Sequence, residues 1–344
     1  MDFKKFFSAG VAALIIFSMP VTFAAQSANE KLIQIEQEIY GAEQSGAILN
    51  RIGQLEKDYS GKNMQGNMNA RIEAIYESLY ENAGQPSVVA KVNALEWNVN
   101  HEVKSEGIKS RLSDLESTIF GTTKSGNLSS RIRELAKASF GSENIPMIQM
   151  QLPENTLIKV EMVDSINSRT LQVGDTVTMK VAEDVIISDK LIFAKGLLGQ
   201  GTVKSVRKAK GWTGRNGKID IDFDFIRTID GNSLETFVGE QAKQKIIDEQ
   251  MTQGASLIAM DIDNDWSKVL VRGKNIETTA GTQLYIQTKN PETLYVLNTV
   301  SNSQLSVVST QQADVSIQPS ASSSQKLETD EVEEIDSAIT YLED

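Results

Sequence analysis

The stretch Arg111-Leu112-Ser113-Asp114-Leu115-Glu116-Ser117-Thr118-Ile119-Phe120-Gly121 decides how the first half of the chain is read. Its pattern recurs every 20 residues through six copies. A base opens each copy, at Lys31, Arg51, Arg71, Lys91, Arg111 and Arg131. An aliphatic residue follows at once, and another three positions later, as in Leu112 and Leu115. A fixed period of this length marks a repeat array. Within a unit the apolar positions fall at spacings of four, three and four, as in Ile108, Leu112, Leu115 and Ile119, which is one stripe of a helix of about 13 residues. Glycines at 41, 61, 121 and 141 then stand where a helix takes a left-handed cap.

A single long coiled coil is the rival reading. Twenty is a multiple of neither seven nor eleven, and glycines inside a helix would cost about 1 kcal/mol each. Helices of this length are marginal alone in water, so they must stack. The expectation is a zigzag of short antiparallel helices over residues 28–146, bundled or drawn out as a solenoid.

Two columns in the array are open to a functional reading. Glu36, Glu56, Glu96 and Glu116 follow the base by five residues, so they form either a solvated flank or ion pairs between neighbouring helices. Tyr40, Tyr80, Phe120 and Phe140 close four helices and read as hydrophobic caps ahead of a ligand platform. His101 stands at a degenerate cap position.

At Pro146 the period stops and alternation takes over. Leu157–Val163, Thr176–Val181 and Ile219–Phe225 read as strands, the last with Asp220, Asp222 and Asp224 on a wet face. Turn signals at Val173-Gly174-Asp175, Lys195-Gly196, Asp230-Gly231 and Ala280-Gly281-Thr282 space many short strands, which argues a small barrel or sandwich over residues 147–300. The fold class is therefore α+β and segregated, with an N-terminal array of short antiparallel helices and a C-terminal all-β module.

The rest of the chain sets the context. Lys4 and Lys5, the apolar Phe6–Phe17, Pro20 and the small residues Thr22 and Ala24 read as a signal peptide over residues 1–24. That apolar run is short of the roughly 20 residues a membrane span needs, so no transmembrane span is expected in the mature chain. Residues 301–327 are Ser- and Gln-rich and read as a disordered linker, and residues 328–344 as an acidic amphipathic helix or tail. The net charge of −12 argues against nucleic-acid binding. Residues 311–344 hold 9 acids and 1 base, so the tail carries most of that excess.

The chain has no cysteine and one histidine. Disulfides, thiolate metal sites and cysteine nucleophiles are excluded, and a Ser-His-Asp triad is disfavoured. No cofactor, metal or catalytic residue is expected, and the chain reads as a non-enzyme. Asp261, Asp263 and Asp265 begin like a calcium loop, but Trp266 and Arg272 stand where the loop glycine and glutamate belong, so a solvated acidic turn is favoured. One patch is singled out for surface or anion binding: Lys204, Arg207, Lys208, Lys210, Trp212, Arg215 and Lys218, a glycine-rich basic hairpin around an indole, with an ordinary solvated loop as the alternative.

Two resemblances add to this. Arg111-Leu112 through Leu115-Glu116 to Phe120-Gly121 resembles the short Arg-aliphatic-x-x-Leu-Glu…Phe-Gly repeats of exported bacterial envelope proteins, and it implies a location, not an activity. Leu152-Pro153-Glu154, Ala182-Glu183-Asp184-Val185, Phe193-Ala194-Lys195-Gly196, Gly199-x-Gly201 and Phe225 to Gly231 follow in an order that looks like the periplasmic barrel of type IV secretion scaffold proteins. A helical array replaces the membrane span and Pro-rich linker of that family, so only the barrel and the periplasmic setting are implied. The expectation is a non-catalytic periplasmic or cell-envelope structural protein, the array serving as spacer or oligomerisation element and the barrel as docking module. An envelope protein or cell-wall polymer would be its partner, and it could form a homo-oligomer. The alternatives are a component of a secretion or surface-appendage assembly and a carboxylate-dependent envelope hydrolase.

Overall fold

The computed structural model describes residues 26–210, 217–249 and 275–299. All of them fall within a single compact unit, residues 1–304. The signal peptide, Trp212, Arg215, Asp261, Asp263, Asp265, the linker and the acidic tail lie outside the described residues.

Six helices of 13 residues open the fold: α1 (Ala28–Tyr40), α2 (Ile48–Ser60), α3 (Met68–Tyr80), α4 (Val88–Asn100), α5 (Ile108–Phe120) and α6 (Leu128–Phe140). Side chains of Ser27, Asn67, Ser87 and Asn127 cap four of the N-termini. Left-handed residues end five of the helices, with His101 at φ 52 taking the place of glycine after α4. Each helix buries the apolar stripe that the repeat encodes, and Leu32, Ile35, Leu55, Ile75, Leu95, Leu112, Leu115 and Leu135 are all at most 1% exposed. The array is bundled and not drawn out. Helix α1 packs on α3 and α5, and α2 on α3 and α6.

Strands follow: β1 (Met147–Leu152), β2 (Leu157–Met162), β3 (Ile166–Asn167), β4 (Thr176–Val181), β5 (Val185–Ile187), β6 (Lys190–Phe193), β7 (Leu198–Arg207), β8 (Lys218–Arg227), β9 (Ser233–Phe237), β10 (Glu277–Thr278), β11 (Gln283–Thr288) and β12 (Glu292–Asn298). Of the two architectures the sequence allowed, the closed barrel forms, in the order β11-β2-β4-β7-β8-β9. A separate four-stranded sheet runs β1-β12-β6-β5, and β3 pairs with β10. One helix, α7 (Glu240–Asp248), joins the β-rich half and packs on β11, an addition the sequence pattern does not signal.

Alternate residues fill the barrel: Ile158 and Val160 from β2, Val177, Met179 and Val181 from β4, Val203 from β7, Ile219, Ile221 and Phe223 from β8, and Leu284 and Ile286 from β11. Strands β7 and β8 approach closely across two register shifts. A Cβ at Gly199 would lie 2.5 Å from Ile226 Cδ1, which is why the Gly199-x-Gly201 pair stands there. Of the three aspartates expected on a wet face of β8, Asp222 is exposed while Asp220 is half-buried. Asp224 is half-buried and accepts a hydrogen bond from Thr202 (2.7 Å), and burial pushes its carboxyl up.

Candidate functional site: the ion-pair ladder and the array–barrel seam

The glutamate column is not a solvated flank. Glu36, Glu56, Glu96 and Glu116 are fully buried. Each pairs with the base that opens the next unit, 15 residues on. Arg51 donates Nε and Nη2 to Glu36 (2.8 and 2.6 Å), and Arg71 donates the same two groups to Glu56 (2.6 and 2.6 Å). Arg131 donates Nε and Nη2 to Glu116 (2.7 and 2.9 Å). These are the planar, bidentate pairs for which guanidinium is suited. Three of the glutamates also accept a backbone N–H from the loop between units: Gln44 to Glu36, Lys104 to Glu96 and Lys124 to Glu116. One carboxylate thus fixes a helix, its following loop and the next helix together.

The ladder changes at two places. At the third junction Tyr76 takes the glutamate position, and Lys31 lies over its ring (4.6 Å) while pairing with Glu73. Lys91, the base that would complete that rung, has its ammonium pKa pushed down by burial. At the fourth junction Arg111 divides itself. Its Nε donates to Glu96 Oε2 (2.8 Å), and its Nη2 lies 2.7 Å from both that same oxygen and Asn93 Oδ1. Asn93 in turn donates to the carbonyl of Ile229 in the barrel (3.1 Å).

That diversion belongs to a seam built by α4. Trp97 donates its indole N–H to Asp184 (2.8 Å), Asn82 donates to the carbonyl of Asp230 (3.1 Å), and the Val103 amide donates to the carbonyl of Lys195 (2.8 Å). Helix α4 buries Val88, Val89, Ala90, Val92, Asn93, Ala94, Leu95, Glu96 and Trp97. It therefore loses the one-sided pattern of its sisters, and the departure of the fourth unit from the repeat has this physical cause. The barrel answers with the tight turn Thr228–Asn232. There the buried Asp230 accepts from Thr228 Oγ1 (2.5 Å), the Asn232 amide (3.2 Å) and the Tyr295 amide (2.9 Å). Burial raises the Asp230 carboxyl above its usual range against those donors.

Beside the seam, a groove of about 490 Å³ runs between the α4–α5 loop and the barrel, lined among others by Glu102, Lys104, Glu106, Glu161 and Lys180. Its charges are mostly matched: Glu102 with Lys195 (3.3 Å), Lys104 with Asp114 (2.7 Å) and Glu161 with Lys180 (2.9 Å). The buried glutamates are held by arginines, and Asp230 is held by a turn.

The basic hairpin divides across the fold. Lys204 and Arg207 lie on β7 and Lys208 and Lys210 just past it, all four exposed, while Lys218 opens β8 and is half-buried. Lys204 reaches Asp222 at 3.5 Å, so part of the positive charge is offset on the hairpin itself.

The aromatic column packs as caps. Tyr40 donates to Asp58 (2.8 Å), Tyr80 donates to the carbonyl of Gln34 (3.3 Å), and burial pushes both phenols well up. At the end of α7, Glu249 accepts from Tyr285 (2.8 Å) and pairs with Lys245 (3.1 Å) and Lys159 (3.3 Å). The Tyr285 hydroxyl, then Lys245 and Lys159, pull the Glu249 carboxyl down to about 2. Burial and Glu249 push the Tyr285 phenol up to about 12. Among the described residues no helix is long and apolar enough to cross a membrane.

No protein-family model matches this chain, and no curated protein matches it. Among solved structures it is similar to ComB10 of the Com type IV secretion system of Helicobacter pylori, at 16% identity over 41% of this chain and 88% of that chain, with a TM-score of 0.24.

Proposed function

We propose that this chain is an exported cell-envelope structural protein, in which the helical array is a spacer or oligomerisation element and the barrel a docking module. The observation that carries the reading is the seam. A repeat array with an internal ion-pair ladder is joined by one fully committed helix, α4, to a barrel whose interior is packed with apolar side chains. The buried charge is used for rigidity, which is what a spacer requires. The exposed basic stretch Lys204, Arg207, Lys208 and Lys210, with Lys204 partly offset by Asp222, suits an anionic wall polymer or an acidic protein surface.

The test is crosslinking and recovery of tagged full-length chain from fractionated envelopes, alongside Lys208→Glu with Lys210→Glu. Recovery of wall polymer or an outer-membrane protein, lost in the double variant, supports the reading. Recovery of secretion-machine subunits would replace it with the secretion-assembly alternative. A chain that remains in the soluble fraction without partners overturns both.

A further inference from the structure

The six helices do not only pack side by side. Four of them also abut end to end, in two pairs at a step of four units. The C-terminal end of α1 receives the N-terminal end of α5: Lys109 lies 5.3 Å from the centre of the Tyr40 ring and 3.1 Å from Asp58, and a Cβ on Gly107 would come within 2.5 Å of the Gly41 amide. The end of α2 receives α6 in the same way. Ser129 donates to the carbonyl of Tyr59 (3.0 Å), and Asn127 Nδ2 comes within 2.8 Å of where a Cβ on Gly61 would stand.

This stacking covers the first residue of each received helix, so that Ile108 is 0% and Leu128 1% exposed. Val88, at the same position of α4, is 7% exposed beside the barrel turn at Gly231, which meets the neighbouring Val89. The same position in α2 and α3 is uncovered: Ile48 is 39% and Met68 38% exposed, and Leu49 beside them 62%. At the opposite end, a Cβ on the caps Gly121 of α5 or Gly141 of α6 would meet nothing within 4 Å. Among the described residues the array therefore presents two unfilled helix starts, at α2 and α3, and two unfilled helix ends, at α5 and α6.

We propose that a second copy of this chain fills them, the α5–α6 ends of one copy seated on the α2–α3 starts of the next. This rests on the reading of the array as an oligomerisation element and gives that element its contact. The repeat itself carries the complementarity. Where the internal junction sets Tyr40, Lys109 and Asp58 together, the intermolecular one sets Phe120, Leu49 and Ala138 at the equivalent positions. The aromatic loses its hydroxyl, the cation becomes leucine and the acid becomes alanine, so a charged contact is replaced consistently by an apolar one. In the α6 junction Asn67 repeats Asn127, and Gly141 repeats Gly61. The helix dipoles meet positive start to negative end, which adds a small attraction. Ala47 carries the methyl that Gly107 lacks, so this seat is set back from the internal one. The contact is heterologous, so it builds rings or chains of copies and not an isologous dimer.

Sedimentation velocity of the purified full-length chain at rising concentration tests this. We expect a sedimentation coefficient that climbs with concentration. Leu49→Lys should weaken that association by roughly tenfold, because it removes the apolar contact and Ala138 offers no acid of the kind that holds Lys109 at the internal junction. Val173→Lys, an equally exposed apolar site on the barrel half, should leave it unchanged. Because the chain has no cysteine, Leu49→Cys and Thr122→Cys chains can be mixed under oxidising conditions, and a mixed disulfide should form faster than between Val173→Cys and Thr122→Cys. A chain that stays monomeric throughout, or one whose association ignores Leu49→Lys, overturns the contact. Envelope partners still recovered by the Leu49→Lys chain would show that the docking reading stands without it.

Discussion

Removing Glu116 tests the ladder most directly. Its carboxylate is buried and holds Arg131, whose side chain is 7% exposed, through Nε and Nη2. It also accepts the Lys124 amide at 2.8 Å. Glu116→Ala leaves a guanidinium in the interior with Ser113 Oγ (3.0 Å) as its remaining partner among the described residues, and takes away the acceptor of the loop amide. Breaking one side of a buried pair costs about 3–5 kcal/mol, and the Coulomb interaction at contact near a protein surface is about 4 kcal/mol, so the two scales agree. The orphaned amide alone would cost about 1–3 kcal/mol. Glu116→Gln separates these, since it keeps an acceptor for Lys124 and removes the charge. The exposed pair Lys104–Asp114, with side chains 41% and 48% exposed, is the control, and Asp114→Asn should cost no more than about 1 kcal/mol. Urea unfolding followed by far-ultraviolet circular dichroism, compared by midpoint at unchanged slope, measures all three. The ranking expected is Glu116→Ala first, Glu116→Gln second and Asp114→Asn last. A Glu116→Ala midpoint indistinguishable from that of Asp114→Asn would refute the claim that the ladder holds the array together.

Further outcomes follow from the same structure. Gly53 lies inside α2, and a Cβ there meets nothing within 4 Å, so Gly53→Ala should stabilise by about 0.5–1 kcal/mol in the same assay. Gly107→Ala should instead destabilise by more than that gain, because its Cβ would press on the Gly41 backbone at 2.5 Å. For Glu249 the folded carboxyl titrates at about 2, below its unfolded value, so its contribution is present above the ordinary glutamate range and is lost as pH falls toward 2. Carbon-detected NMR titration should find that depressed midpoint, and Tyr285→Phe should raise it; an unchanged midpoint in the variant would show that the phenol is not the main cause.

The six helices were legible because their signal is local. A stripe at four, three and four, a cap residue before it and a glycine after it fix a 13-residue helix without reference to anything distant. The bases and glutamates were legible as columns for the same reason. Their pairing was not, since both sit on the same helix five residues apart and the true partner lies 15 residues away on the next one. The strands of the barrel announced themselves by alternation, whereas α7, with its short run Glu240–Asp248, gave no signal above its surroundings. The basic hairpin was visible as a run of charge, but not the half-burial of Lys218 or the offset of Lys204 by Asp222.

Local pattern alone therefore establishes the repeat, the faces of its helices, the change to β-structure at Pro146 and the chemistry excluded by having no cysteine and one histidine. It took the folded arrangement to establish that α4 is buried on both sides, that the ends of α1 and α2 receive the starts of α5 and α6, and that four glutamates are interior. The reason is physical. A periodic pattern specifies which side of an element avoids water, but several packings satisfy the same stripe. The choice among them is made by close approach at Gly107, by the buried arginine pairs and by the barrel turn at Asp230, each of which joins residues far apart in the chain.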